Sequence, residues 1–247
     1  MSLGADFLAT GHYCHTQGGR LFQGKDPGKD QSYFLQAVSS QSLQKVLFPL
    51  GQLLKSQVRQ IAKDRGLPCH NRRDSTGICF IGERPFQDFL KNYLPVKKGF
   101  FRSLDGKIQG EHLGVPYYTL GQRRHLGLGG QGAPWYVVAK DLASNTVYVE
   151  RGREHPKLYS IDLETEKPHW IHKPSLPQKM EAKIRYRQKN QSCEIHPLED
   201  GGLRLRFQDP QWAPTACQYV AIYQGEECLG GASIRRVLSM GEQKQLS

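Results

Sequence analysis

Tyr93-Leu94-Pro95-Val96-Lys97-Lys98-Gly99-Phe100-Phe101-Arg102 is the stretch at which the chain changes character. Before it, apolar residues recur at helical spacing. Phe86, Phe89, Leu90, Tyr93 and Leu94 fall on one face, Pro85 suits a helix start, and Pro95 closes the helix. After it, short strand-like pieces sit between glycine turns: Lys97 to Arg102, Asp105-Gly106 with Lys107-Ile108, Tyr117 to His125, and Trp135 to Ala139. Asp105-Gly106 is a hairpin signal, and Ser144-Asn145 before Thr146-Val147-Tyr148-Val149 is a second. The chain therefore reads as α/β up to about residue 94 and as β beyond it.

Working back towards the N-terminus, Leu54, Val58, Ile61 and Ala62 share a helix face, with Gly66 and Pro68 as its stop. Leu3 to Ala9 is a short apolar run ending in Thr10-Gly11-His12-Tyr13. Open α/β sheets place ligands at such carboxyl ends, where a glycine lets substrate approach the backbone. The other reading of His12 is an ordinary loop histidine. Arg20 to Gln23 reads as a short strand and Gly24 to Gly28 as a loop. Lys29-Asp30-Gln31-Ser32-Tyr33-Phe34-Leu35 then opens a periodic segment, in which Asp30 and Gln31 either cap a helix or face a substrate. One convincing strand is too few for a sheet, so this segment is expected to be the tail of a larger α/β domain or to lean on another piece of protein.

Towards the C-terminus, Pro156 to Pro177 is a proline- and charge-rich connection. Beyond it, strands alternate with period two at Ala182 to Arg187, Ser192 to Ile195, Leu203 to Phe207, Tyr219 to Tyr223 and Ala232 to Ile234, which predicts a small antiparallel barrel. On the first of these, Lys183, Arg185 and Arg187 are expected to form a cationic stripe opposite Ile184 and Tyr186. Three domains follow: residues 1–94, 95–157 and 158–247.

Thirty-four Lys and Arg against 23 Asp and Glu leave a net charge of +11 in 247 residues. Such an excess points to a polyanionic partner, with nucleic acid ahead of an anionic membrane because no basic amphipathic helix stands out. No apolar run approaches a membrane span, and a cytoplasmic setting without a membrane partner is expected. Six cysteines lack any Cys-x-x-Cys pair or zinc-ligand spacing, so no metal site is assigned.

One cysteine stands apart, in Asp74-Ser75-Thr76-Gly77-Ile78-Cys79-Phe80-Ile81-Gly82-Glu83. A thiol with a reference pKa near 8.5 is only slightly ionised at neutral pH. A shift of about 1.5 units, roughly 2 kcal/mol, would half-ionise it, and Arg72 and Arg73 just upstream could supply that. The plainer reading is a small buried hydrophobe between Ile78 and Phe80.

Several strings read together carry a resemblance: Ala9-Thr10-Gly11-His12-Tyr13, Lys29 to Leu35, Asp74 to Gly82, Tyr118-Thr119-Leu120-Gly121-Gln122-Arg123-Arg124, Lys183 to Gln188 and Glu227-Cys228-Leu229-Gly230-Gly231. In this order they closely resemble the tRNA-specific 2-thiouridylase family. The resemblance implies the C-terminal portion of an adenine-nucleotide-binding α/β domain of the PP-loop type, a β-rich central domain and a C-terminal antiparallel β-barrel. It implies ATP, with Mg2+, for adenylating the 2-oxygen of the tRNA wobble uridine, and sulfur from a cysteine persulfide fed by a sulfur-donor relay protein. By that resemblance Cys79 carries the persulfide and Gly11 lies at the ATP site. His12, Lys29, Asp30, Gln31, Arg185, Tyr186 and Gln218 contact tRNA, although the usual Pro-Gly-Gln is Ala216-Cys217-Gln218 here. The family's phosphate-binding Ser-Gly-Gly-x-Asp-Ser loop and a second cysteine of that domain do not occur in this sequence. The chain is therefore expected to start inside the ATP-binding domain, to bind tRNA weakly and not to turn over. The competing reading is a non-catalytic RNA-binding β-barrel module, which accounts for the charge but not for Cys79 in its setting. A nucleotide pyrophosphatase acting on a small metabolite would leave the basic barrel without a purpose.

Overall fold

The computed structural model describes residues 4–71, 86–94 and 96–239. They form two compact units. The first takes in the residues up to 71 together with Ile161–Pro210 and Thr215–Val237. The N-terminal segment and the C-terminal strands, far apart in sequence, thus pack as one body.

The N-terminal segment carries strands β1 (Leu8–Ala9), β2 (Cys14–Gln17) and β3 (Arg20–Gln23), short helices α1 (Ser32–Leu35) and α2 (Ser40–Leu43), strand β4 (Val46–Leu47) and helix α3 (Lys55–Asp64). Among the described residues, four short strands stand where the sequence reading found one convincing strand. β1 pairs in parallel with β4, while β2 and β3 form an antiparallel hairpin. Residues 29–35 do not open a long helix: α1 is a single turn, begun by bonds that Asp30 makes. Helix α3 lies where its periodicity predicts. The Asp26 carboxylate accepts from the Lys55 backbone N–H at 2.9 Å at its first turn, and Gly66 (φ +64°) follows its end.

Helix α4 (Phe86–Lys91) and strands β5 (Gly99–Arg102), β6 (Ile108–His112), β7 (Trp135–Asp141) and β8 (Thr146–Arg151) precede the barrel strands. Those are β9 (Tyr159–Thr165), β10 (His169–Trp170), β11 (Gln178–Lys183), β12 (Gln191–Pro197), β13 (Leu203–Trp212), β14 (Tyr219–Gln224) and β15 (Glu227–Ser239). The order β14-β11-β12-β13-β9-β15 closes because β14 also pairs with β15, giving a closed antiparallel barrel of six strands among the described residues. Alternation dictates its core: Leu203, Leu205 and Phe207 point in, while Arg206 is exposed and Arg204 half-buried. They meet Ile195, Val220, Ile222, Leu229 and Ile234 inside. Each fully buried aliphatic side chain contributes about 1.5–3 kcal/mol.

The β2–β3 hairpin extends this sheet, with Leu21 opposite Cys228 and Phe22 opposite Glu227. Cys14, Leu21, Leu43, Ile171, Ala221 and Tyr223 bury the junction. At Gly231 an added Cβ would collide with the Gln36 side chain and the Val220 carbonyl, so this glycine in the Gly230-Gly231 pair is what lets the two segments close together.

The second unit has a four-stranded sheet in the order β6-β5-β8-β7, parallel only between β5 and β8. Phe101, Val115, Tyr117, Val137, Val147 and Val149 fill its core. Both hairpin signals are turns, with Gly106 at φ +88° and Asn145 at φ +50°. The Tyr117 to His125 piece is not a strand. A 3-10 turn at Val115–Tyr117 leads into a loop pinned by Gly121 N–H to the Val137 carbonyl (2.8 Å) and Val137 N–H to the Gln122 carbonyl (3.0 Å). Among the described residues no helix is long and apolar enough to cross a membrane.

Candidate nucleic-acid interface

Within the first unit, one acidic side chain organises the junction. Asp30 is 4% exposed, and its carboxylate accepts from the Lys183 ammonium (2.9 Å), the Gly24 and Ser32 backbone N–H groups (3.1 Å each), the Ser32 hydroxyl (3.1 Å) and the Gln23 amide (3.2 Å). Burial alone would push this carboxyl up. Lys183 and the backbone donors outweigh it and hold the acid below its usual range. Lys183 is 5% exposed, with its Nζ 4.9 Å from the Tyr223 ring centroid.

This overturns the expected cationic stripe. β11 ends at Lys183, whose side chain points into the protein as the counterion of Asp30. The chain then turns: Gln188 Oε1 accepts from Ile184 N–H (2.9 Å), Gln188 N–H donates to the Arg185 carbonyl (3.3 Å), and Arg187 adopts φ +64°. Alternation of charge along residues 182–187 mimicked a strand that local hydrogen bonding ends.

Around this pair the residues singled out from the sequence converge. Gln31 is locked to Tyr13, accepting from its N–H through Oε1 (3.0 Å) and donating its own N–H to the Tyr13 carbonyl (2.9 Å). His12, next to Tyr13, bonds Thr10 through Nδ1 (2.9 Å) and meets the Phe48 ring edge-on at 6.1 Å. Tyr33 donates its hydroxyl to the Ile184 and Tyr219 carbonyls (3.2 and 2.9 Å), while Phe34 packs on Tyr186 with centroids 4.6 Å apart. Residues 30–34 are thereby clamped against 183–186 and 219. Lys29 is half-buried at the edge of this clamp, and Arg185 is half-buried, its guanidinium pKa lowered by that burial. Gln218 sits one residue from Tyr219, its Oε1 buried without a hydrogen-bond partner among the described residues. Cys217 before it takes φ +67°, the left-handed conformation that glycine adopts freely. The departure from Pro-Gly-Gln therefore falls where it costs conformational energy.

Gly11 lies exposed just past β1. A Cβ there would meet only Leu50 Cδ1, at 3.8 Å, so the backbone is open to a ligand. Cys79, Arg72 and Arg73 lie outside the described residues. No group of three His, Cys, Asp or Glu side chains gathers as a metal site among the described residues. Sequence reasoning missed Lys183 as an internal counterion, because its partner lies 153 residues away.

Three family models match the chain in succession: a "tRNA methyl transferase HUP domain" over residues 1–83, a "tRNA methyl transferase PRC-barrel domain" over 87–151 and an "Aminomethyltransferase beta-barrel domain" over 160–234. A Geobacillus kaustophilus protein named tRNA-specific 2-thiouridylase MnmA 2 is 48% identical over 98% of this chain and 67% of its own length. The chain belongs to the tRNA-specific 2-thiouridylase MnmA family. Members from Halalkalibacterium halodurans (47% over 99% of this chain, 68% of theirs) and Nitrosococcus oceani (48% over 98%, 69% of theirs) match in the same way. The chain thus spans about two thirds of the length of these MnmA relatives. The matched HUP segment contains Gly11 and the clamp residues 29–34, and the matched β-barrel segment contains Lys183, Arg185, Tyr186 and Gln218.

Proposed function

We propose that this chain serves the ATP-dependent 2-thiolation of the wobble uridine of tRNA, with sulfur carried as a persulfide on Cys79. The single observation that carries this is the identity of nearly half over almost the whole chain to proteins named tRNA-specific 2-thiouridylases. Uracil C2 is a poor electrophile. ATP, with Mg2+, would transfer its adenylyl group to the 2-oxygen with release of pyrophosphate, which makes that oxygen a leaving group. The terminal persulfide sulfur of Cys79 then bonds to C2 as AMP departs with that oxygen. The S–S bond breaks as a second thiol, that of the family's second cysteine supplied by the part of the relatives outside the match, bonds to Cys79 Sγ as a disulfide. A persulfide attacks best as an anion, and Arg72 and Arg73 are the groups proposed to stabilise it. Gly11 is proposed to let the nucleotide approach the backbone.

His12, Lys29, Arg185, Tyr186 and Gln218 are proposed to meet the tRNA. Asp30 and Gln31, whose side chains are engaged within the protein, serve the same contact through the clamp that sets the position of Lys29, Arg185 and Tyr186. A sulfur-donor relay protein charges Cys79, in the cytoplasm.

The test is to incubate the chain with unmodified tRNA, ATP and a persulfide donor. It is run on the chain alone and on the chain joined in frame to the part of the Geobacillus kaustophilus relative outside the match. Mass spectrometry of the nucleosides distinguishes an oxygen-for-sulfur exchange from an added methyl group. Sulfur at the wobble uridine made by the joined protein, dependent on ATP, is the expected result. An added methyl group, or no modification by the joined protein, refutes the proposal.

A further inference from the structure

A cleft of about 410 Å³ in the first unit lies between the loop beginning at Gly24 and the turn that ends at Asn190, and no role above uses it. Its floor is neutral and saturated. Asp30 is matched by Lys183, and the Gln23 amide bonds Asn190 Oδ1 at 3.4 Å, so neither invites a ligand of its own. Its rim is cationic: the exposed side chains of Lys25, Arg187 and Lys189 face one carboxylate, Glu226. Arg187 is held at φ +64°, where an L side chain is strained, and its guanidinium lies 5.2 Å from the Tyr186 ring centroid. Such strain persists where the side chain is needed in place, and outliers of this kind cluster at ligand clamps.

The geometry points to a phosphodiester-binding site: Lys25, Arg187 and Lys189 grip the phosphate backbone of the RNA at this cleft, beside Tyr186. A guanidinium fork and two ammonium groups around an open cleft suit phosphate oxygens, with Arg supplying bidentate geometry and Lys point charge. Contacts from these three cations to phosphate oxygens fix register and carry no sequence information of their own. This inference rests on tRNA being the partner.

The experiment measures tRNA affinity of the full chain across salt concentrations without nucleotide, and ATP affinity separately. The variants are Lys25→Ala/Arg187→Gly/Lys189→Ala, Arg187→Gly alone and a control, Lys179→Ala, on the barrel surface away from the cleft. Arg187→Gly removes the charge while relieving the left-handed strain, so its folding is retained and is checked by circular dichroism. The expected result is at least a tenfold loss of tRNA affinity in the triple variant. The slope of log K against log salt falls by about 2 to 3 units, ATP affinity is unchanged, and Lys179→Ala stays within twofold of the parent. An unchanged slope in the triple variant overturns the site, and so does a loss confined to ATP, which would make it a nucleotide-phosphate site. A parent chain that fails to bind tRNA at all refutes instead the reading of tRNA as the partner, and this inference with it.

Discussion

Breaking the Asp30–Lys183 pair should cost the first unit more stability than any exposed charge in it, and the cost should depend on which partner is removed. Both side chains are almost fully enclosed (4% and 7% exposed) and meet at 2.9 Å. Removing one member of such a pair costs about 3–5 kcal/mol. The surroundings of the two charges differ. Without Lys183, the carboxylate keeps its four neutral donors from Gly24, Ser32 and Gln23. Without Asp30, the ammonium keeps the face of Tyr223. Lys183→Met is therefore expected near 3 kcal/mol and Asp30→Ala near 5. The double variant should fall short of their sum by about 2 kcal/mol, because the second change removes a charge already stranded. Urea unfolding followed by circular dichroism at pH 7 measures all three. Strict additivity, or Lys183→Met costing more than Asp30→Ala, would refute this account of the junction. The pH dependence gives an independent check. Asp30 has a depressed pKa in the fold, so its contribution is fully present above the unfolded carboxylate value of about 3.9 and is lost as pH falls through the lower folded value. Asp30→Ala should flatten the acid limb of the stability curve below about pH 4.

Cys217→Gly should stabilise the chain by about 0.5–1 kcal/mol, read as a rise of about 1–4 °C in Tm, because a left-handed residue loses its Cβ penalty. Thiol alkylation mapped by mass spectrometry at pH 7 should label Cys69 and Cys217 rapidly, both being exposed. Cys14, Cys193 and Cys228 should react only on unfolding, since burial pushes each thiol up to about 12. If Arg72 and Arg73 favour the Cys79 thiolate, alkylation rates against pH should place its pKa at least one unit higher in Arg72→Ala/Arg73→Ala. An unmoved pKa removes those roles.

The legible parts of the fold are those set by local pattern. The alternation Leu203-Arg204-Leu205-Arg206-Phe207 predicts which face is buried because one side of a barrel strand always meets the interior. The end of α3 and the hairpins at Gly106 and Asn145 are read from residues that tolerate positive φ. What escaped depends on partners distant in sequence. Lys183 looks like a surface cation until Asp30 is brought beside it. The β2–β3 hairpin looks orphaned until β15, about two hundred residues on, supplies its neighbour. The strings that carry the family resemblance proved legible as a set, and the structure gives several a shared physical basis. Gln31 on Tyr13, Asp30 on Lys183 and Phe34 on Tyr186 are contacts between different strings. Cys79 remains a matter of chemistry to be tested directly.

That test is sulfur incorporation into tRNA by the joined protein carrying Cys79→Ser, measured beside its tRNA affinity. The persulfide account predicts that thiolation is abolished while affinity stays within a few-fold of the parent. Full thiolation by Cys79→Ser would contradict it.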